Sequence, residues 1–169
     1  SDVQTTPINP EDLILHLPFE KVENVQVQTR VGTGIRSTPD ITDKYRGLSF
    51  DVAPVQGVND NSFYFEGAKS YVVMPYNSNF DITGDKLTIS SWVKIEQTNG
   101  LSPSPIIIVQ SGNPSSFGKY ILKAIPGKDS FILVLDLNTD GKKRSTIETK
   151  INRRNYENRF KLNEWQYIT

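Results

Sequence analysis

The sequence contains no cysteine, one histidine and one methionine among 169 residues. Without cysteine there can be no disulfide, thiolate zinc site or thiol nucleophile. A single histidine, His16, excludes zinc sites that need two or more imidazoles. His16 is also the one imidazole a Ser-His-Asp triad could use, but it sits between Leu15 and Leu17 in an apolar stretch that reads as a strand, where an ordinary surface role is expected. The only Asn-x-Ser triplet, Asn113-Pro114-Ser115, carries the proline that blocks glycosylation. No apolar run reaches the length needed to span a membrane as a helix, so membrane insertion is not expected. Net charge is also lacking: 19 Lys and Arg balance 19 Asp and Glu. No global field therefore draws the chain to nucleic acid. Charge is uneven, with eight basic against three acidic residues over 141–169, which suits a solvated rim.

What is present is a succession of short β signals. Residues 1–10 read as a polar linker with Pro7 and Pro10. Strands are expected at 13–17, 48–52, 62–66, 70–74, 87–96, 105–110, 120–125, 131–137, 145–151 and 164–169, with a long polar loop over 20–46. Gly, Pro, Asn and Asp punctuate them, and Asp140-Gly141 has the chemistry of a tight hairpin turn. About ten strands with no helical period imply an all-β domain, an antiparallel sandwich or barrel, over residues 11–169.

Alternation assigns faces. Over 87–96, Leu87, Ile89, Val93 and Ile95 share one side, which must be the core. Trp92 and Lys94 then point the other way, away from the interior. Over 131–137 both faces are mostly apolar, so that strand is expected to be central and covered on both sides.

Four segments taken in order carry a family likeness: Asp12–Glu20, with Leu13-Ile14-Leu15-His16-Leu17-Pro18-Phe19; Ser62-Phe63-Tyr64-Phe65-Glu66-Gly67 followed by Ser70-Tyr71-Val72-Val73-Met74-Pro75; Phe80–Lys94, ending Leu87-Thr88-Ile89-Ser90-Ser91-Trp92-Val93-Lys94; and Leu162-Asn163-Glu164-Trp165-Gln166-Tyr167-Ile168-Thr169. Together they resemble the laminin-G-like jelly roll of the concanavalin A-like lectin superfamily, to which pentraxins are related. The likeness implies a β-sandwich whose second segment is a hairpin and whose last strands are absent here. It therefore implies either a continuation of the chain past Thr169 or a second chain that completes the sheet.

Chemistry was sought against that background. The glycosidases of this superfamily place two or more carboxylates on one strand, and neither 131–137 nor 87–96 has such a set. A non-catalytic module is the expectation. For a sugar, Trp92 with Lys94 beyond it forms the best candidate platform, although the likeness also makes that tryptophan part of the fold signature; Trp165 is assigned to the core. For calcium, Asn59-Asp60-Asn61 supplies the hard oxygen donors that this cation takes, and the same triplet equally suits a turn whose side chains bond their own backbone. The function expected is adhesion or carbohydrate attachment by an extracellular or cell-surface protein, with a glycan or a surface protein as partner. A structural role in assembly, without a small ligand, is the alternative.

Overall fold

Frequent turn residues and the absence of a helical period leave strands as the way to pair the backbone, and the computed structural model is all-β. It describes residues 10–25, 35–67, 69–82, 84–96, 104–112, 119–138, 144–148 and 160–169. The only helical elements among them are two short 3-10 turns, Pro10–Asp12 and Ser78–Phe80. The chain forms two compact units, Ser1–Phe80 and Asp81–Thr169.

In the first unit, strands Glu23–Val25 (β1), Ile35–Pro39 (β2), Arg46–Phe50 (β3) and Tyr71–Val73 (β6) make a four-stranded antiparallel sheet in the order β1-β2-β3-β6. Val52–Gln56 (β4) and Asn61–Phe65 (β5) form a separate antiparallel ribbon. Asp51, with φ of 48°, breaks the run between β3 and β4; aspartate tolerates this left-handed region better than most residues. Gly47 is required where β3 passes β6, since a Cβ there would lie 2.7 Å from Val72 Cγ1. Phe19, with φ of 57°, stacks on Phe63 of β5 at 4.6 Å between ring centroids.

The second unit holds the hydrophobic core. Ile106–Ser111 (β8), Tyr120–Pro126 (β9), Ser130–Asn138 (β10) and Arg144–Glu148 (β11) lie in the order β11-β10-β9-β8, and the short strand Phe160–Lys161 (β12) also pairs with β10. A second antiparallel ribbon joins Ser91–Lys94 (β7) to Trp165–Ile168 (β13). One apolar cluster connects these two layers: Ile95 and Ile168 meet Leu122, Ala124, Phe131 and Leu133, with Val93 and Leu135 packed against them. The cluster is the largest source of burial free energy, at roughly 1.5–3 kcal/mol for each large apolar side chain removed from water.

Several expectations hold. β8, β9 and β10 fall where alternation put them, and β10 has neighbours on both sides. Its two faces are both covered, Phe131 and Leu133 on one and Val134, Asp136 and Asn138 on the other. Others do not. Residues 13–17 form no strand; among the described residues their backbone bond to a distant segment is the Ile41 amide donating to the His16 carbonyl at 2.8 Å. The expected loop over 20–46 contains β1 and β2, whose polar sequence hid them. The expected 62–66 to 70–74 hairpin is not a pair: β5 ladders with β4 and β6 with β3. The expected strand over 87–96 is reduced to β7, since only Ser91–Lys94 has a partner strand. The Asp140-Gly141 turn and residues 1–9 of the expected linker lie outside the described residues.

Candidate ligand-binding face

The β7–β13 ribbon turns one side to the core and the other outward. Its register pairs Trp165 with Lys94 and Tyr167 with Trp92. Side chains alternate along each strand, so these four residues share one face, while Val93, Gln166 and Ile168 share the other. Ile168 is almost wholly buried and anchors the ribbon to the core cluster. Trp92 is 45% exposed, and its ring centroid lies 5.3 Å from that of Tyr167 with the planes tilted by 55°. Such an arrangement suits aromatic quadrupoles and holds both rings in place. Trp165 and Tyr167 are half-buried and Lys94 is exposed.

Alternation therefore placed Trp92 and Lys94 correctly with respect to the interior. It could not show that β13 would lie beside β7 in this register. Trp165, which was assigned to the core, is instead on the Trp92 side, because its strand dedicates the opposite parity, with Ile168, to packing. The result is three aromatic rings and one ammonium group on a two-stranded surface. Its polar complement is small: among the described residues, Lys94 makes no ion pair.

The Asn59-Asp60-Asn61 triplet lies at the end of the β4–β5 ribbon. The Gly57 amide donates to the Asp60 carbonyl at 2.9 Å, and Asn61 pairs with Gln56, so residues 57–60 close a hairpin. Asn61 also donates twice to Glu20, from its backbone amide to Oε2 at 3.0 Å and from Nδ2 to the Glu20 carbonyl at 2.8 Å. Calcium takes six to eight oxygens, several from carboxylates. Among the described residues no group of three or more Asp, Glu, His or Cys side chains converges here or elsewhere. The triplet thus closes a hairpin through the Asp60 carbonyl and is tied to Glu20 through Asn61.

A cleft of about 590 Å³ in the first unit is bordered by Leu13, Ile14, Asp40, Lys44, Tyr45 and Asn79. Several of its polar groups are paired with one another. Asn79 Nδ2 donates to the Tyr45 hydroxyl at 2.8 Å, and the Asp40 carboxylate accepts from Thr42 Oγ1 at 2.9 and 3.0 Å and from the Tyr45 amide at 3.1 Å. Burial would raise the Asp40 pKa, but the Tyr45 amide and the Thr42 hydroxyl outweigh it and hold the carboxyl below its ordinary value. The Asp40, Thr42, Tyr45 and Asn79 groups of this wall are thus engaged, while the Lys44 ammonium lies over the Tyr45 ring at 5.1 Å from its centroid. Nearby, Glu23 is held down to about 2 by hydrogen bonds from Lys21 and Arg46, an exposed cluster that tethers β1 to β3.

Compared with known proteins, the chain matches no family model, no curated protein and no solved structure. The laminin-G likeness therefore rests on the four sequence segments alone.

Proposed function

We propose that this chain is a non-catalytic adhesion or carbohydrate-binding module of a larger secreted or cell-surface protein, and that the outward side of the β7–β13 ribbon is its contact surface. The observation that carries the reading is the exposed Trp92 ring, held against Tyr167 with Lys94 and Trp165 on the same face. The C–H face of a pyranose is apolar and matches an indole in size, and the surrounding hydroxyls need donors beside the ring. Lys94 is the donor in place. A ribbon packed on a core by Val93, Ile95 and Ile168 keeps the rings positioned before the ligand arrives, which lowers the ordering cost of binding. The likeness to laminin-G-like lectin domains supports the same reading, and so does its usual extracellular setting. It also supports the jelly-roll form of the sandwich. The two-layer core of the second unit is compatible with that form.

Affinity electrophoresis through native gels containing β-glucan, xylan or polygalacturonate tests the proposal. The wild-type protein should be retarded by at least one of these, and Trp92→Ala should weaken that retardation tenfold or more, about 1.4 kcal/mol. Because Trp92 is 45% exposed, the variant should keep its far-UV circular dichroism. No retardation by any of the three polymers, or retardation unchanged in a folded Trp92→Ala, would reject the reading.

A further inference from the structure

The cleft of the first unit shares no residue with the β7–β13 ribbon. Its volume, about 590 Å³, falls in the range of small-molecule sites. Leu13, Ile14 and Leu15 line one side, and Leu13 and Ile14 are exposed, at 37% and 48%. Two charged side chains border the cleft, Asp40 and Lys44. The Asp40 oxygens are spent on the β2–β3 turn, where Thr42 Oγ1 and the Tyr45 amide donate to them. Asp43, next to Lys44 in the chain, is paired with Arg46 at 2.9 Å. Among the described residues the Lys44 ammonium enters no ion pair; its contact is the face of the Tyr45 ring. The Tyr45 hydroxyl accepts from Asn79 Nδ2 at 2.8 Å, which leaves its own O–H to donate. Hydrogen bonds from Asn79 and from Lys44 hold the phenol below its ordinary pKa, and a more acidic O–H is a stronger donor.

We propose that this cleft binds a small amphiphilic monocarboxylate, with Lys44 and the Tyr45 O–H on its two oxygens and Leu13, Ile14 and Leu15 against its apolar body. Charge complementarity selects the class. One ammonium without an ion-pair partner neutralises one negative charge. A dianion would keep a second charge uncompensated beside the Asp40 carboxylate, and a cation would meet Lys44. A neutral ligand gains no charge-assisted hydrogen bond, and such bonds are roughly twice as strong as neutral ones. The two donors, one over the Tyr45 ring and one on it, match the two acceptor atoms of a carboxylate. The apolar side requires hydrocarbon on the ligand, since a purely polar anion would leave Leu13 and Ile14 in water. Both sides of the cleft are tied together by the Ile41 amide, which donates to the His16 carbonyl at 2.8 Å. The site lies wholly within Ser1–Phe80 and is independent of the glycan-binding reading.

Titration of the full chain with phenylpropionate, followed by amide proton–nitrogen correlation spectra, tests it. The amides of Ile14, Lys44, Tyr45 and Asn79 should shift saturably, with a Kd on the order of 1 mM for a ligand of this size. Phenylpropionamide has the same apolar body without the charge and should bind at least about fivefold more weakly. Phenylpropylammonium should shift none of these amides. Lys44 is exposed, so Lys44→Gln should keep the dispersed spectrum of the wild type and bind the carboxylate no better than wild type binds the amide. Tyr45→Phe retains the ring and should fall between the two, whereas Lys94→Gln should bind as wild type does. The proposal is overturned by the absence of a saturable shift up to about 20 mM. It is equally overturned by shifts centred on other residues, by equal affinity for carboxylate and amide, or by unchanged affinity in Lys44→Gln. The first three of these outcomes need only the wild-type protein.

Discussion

The two units bury different kinds of residue. In Asp81–Thr169 the buried set is dominated by one apolar cluster that ties two β layers together. Among the described residues of Ser1–Phe80 the buried positions are Ser37, Thr38, Pro39, Asp40, Gly47 and Ser49, with Val52 and Phe63 the large apolar side chains beside them. Among the described residues, the hydroxyls of Ser37, Thr38 and Ser49 have no hydrogen-bond partner. Aromatic pairs supply packing instead: Phe19 on Phe63, Phe50 on Tyr71, and Tyr45 against Phe80. The difference teaches that a sheet can be closed by small residues and backbone pairing without gaining much from the hydrophobic effect. Such a sheet forgoes apolar transfer free energy and leaves hydroxyl groups desolvated.

This contrast makes opposite demands on mutation. The largest effect is expected in the second unit. Phe131 is 2% exposed and stacks on Phe160 at 5.1 Å, so Phe131→Ala should cost about 3–5 kcal/mol, read as a lowered urea midpoint. An effect below about 1 kcal/mol would mean that the cluster is not the stabilising centre assigned to it.

A smaller effect, and one that depends on pH, is expected at Asp40. Its carboxylate organises the turn between β2 and β3, and Asp40→Asn should cost roughly 1 kcal/mol at neutral pH. The folded pKa lies below the ordinary 3.8, so the native state binds the proton less readily than the unfolded chain. The contribution is therefore complete above the unfolded value and lost as pH falls through the folded one. Urea midpoints measured between neutral and strongly acidic pH should show a shallower acid decline in Asp40→Asn than in wild type. Equal declines would remove Asp40 from the account.

An effect of comparable size should have the opposite sign. Thr38 is fully buried, and Thr38→Val keeps its shape while deleting an unpartnered hydroxyl. A gain of about 1 kcal/mol is expected. Destabilisation would show that the hydroxyl is satisfied in solution, and the contrast between the units would narrow.

The parts of the fold that could be read in advance are those where side-chain pattern and burial agree. β9 and β10 alternate apolar residues over several positions, and their ladder follows from residue 120 to residue 137. β2 could not be read, since Ile-Arg-Ser-Thr-Pro shows neither period nor apolar weight and owes its place to neighbours on both sides. The aromatic segments at 61–65 and 71–73 were recognisable as strands, but their adjacency in the chain suggested a pairing that the fold does not use. At the candidate face, parity identified Trp92 and Lys94. Trp165 and Tyr167 come from a strand some seventy positions away, and nothing local announces their register.

The sequence by itself determined that this protein is built of strands and, for the segment around β7, which parity faces inward, because a period of two and turn residues at short intervals are local properties. It also determined that the segment containing β8 carries no charge. Only the tertiary structure decided which of the described strands are neighbours, and that three aromatic rings share a face with Lys94. Those outcomes depend on backbone pairing between distant residues, where many registers are chemically acceptable and the packing of the whole unit selects one.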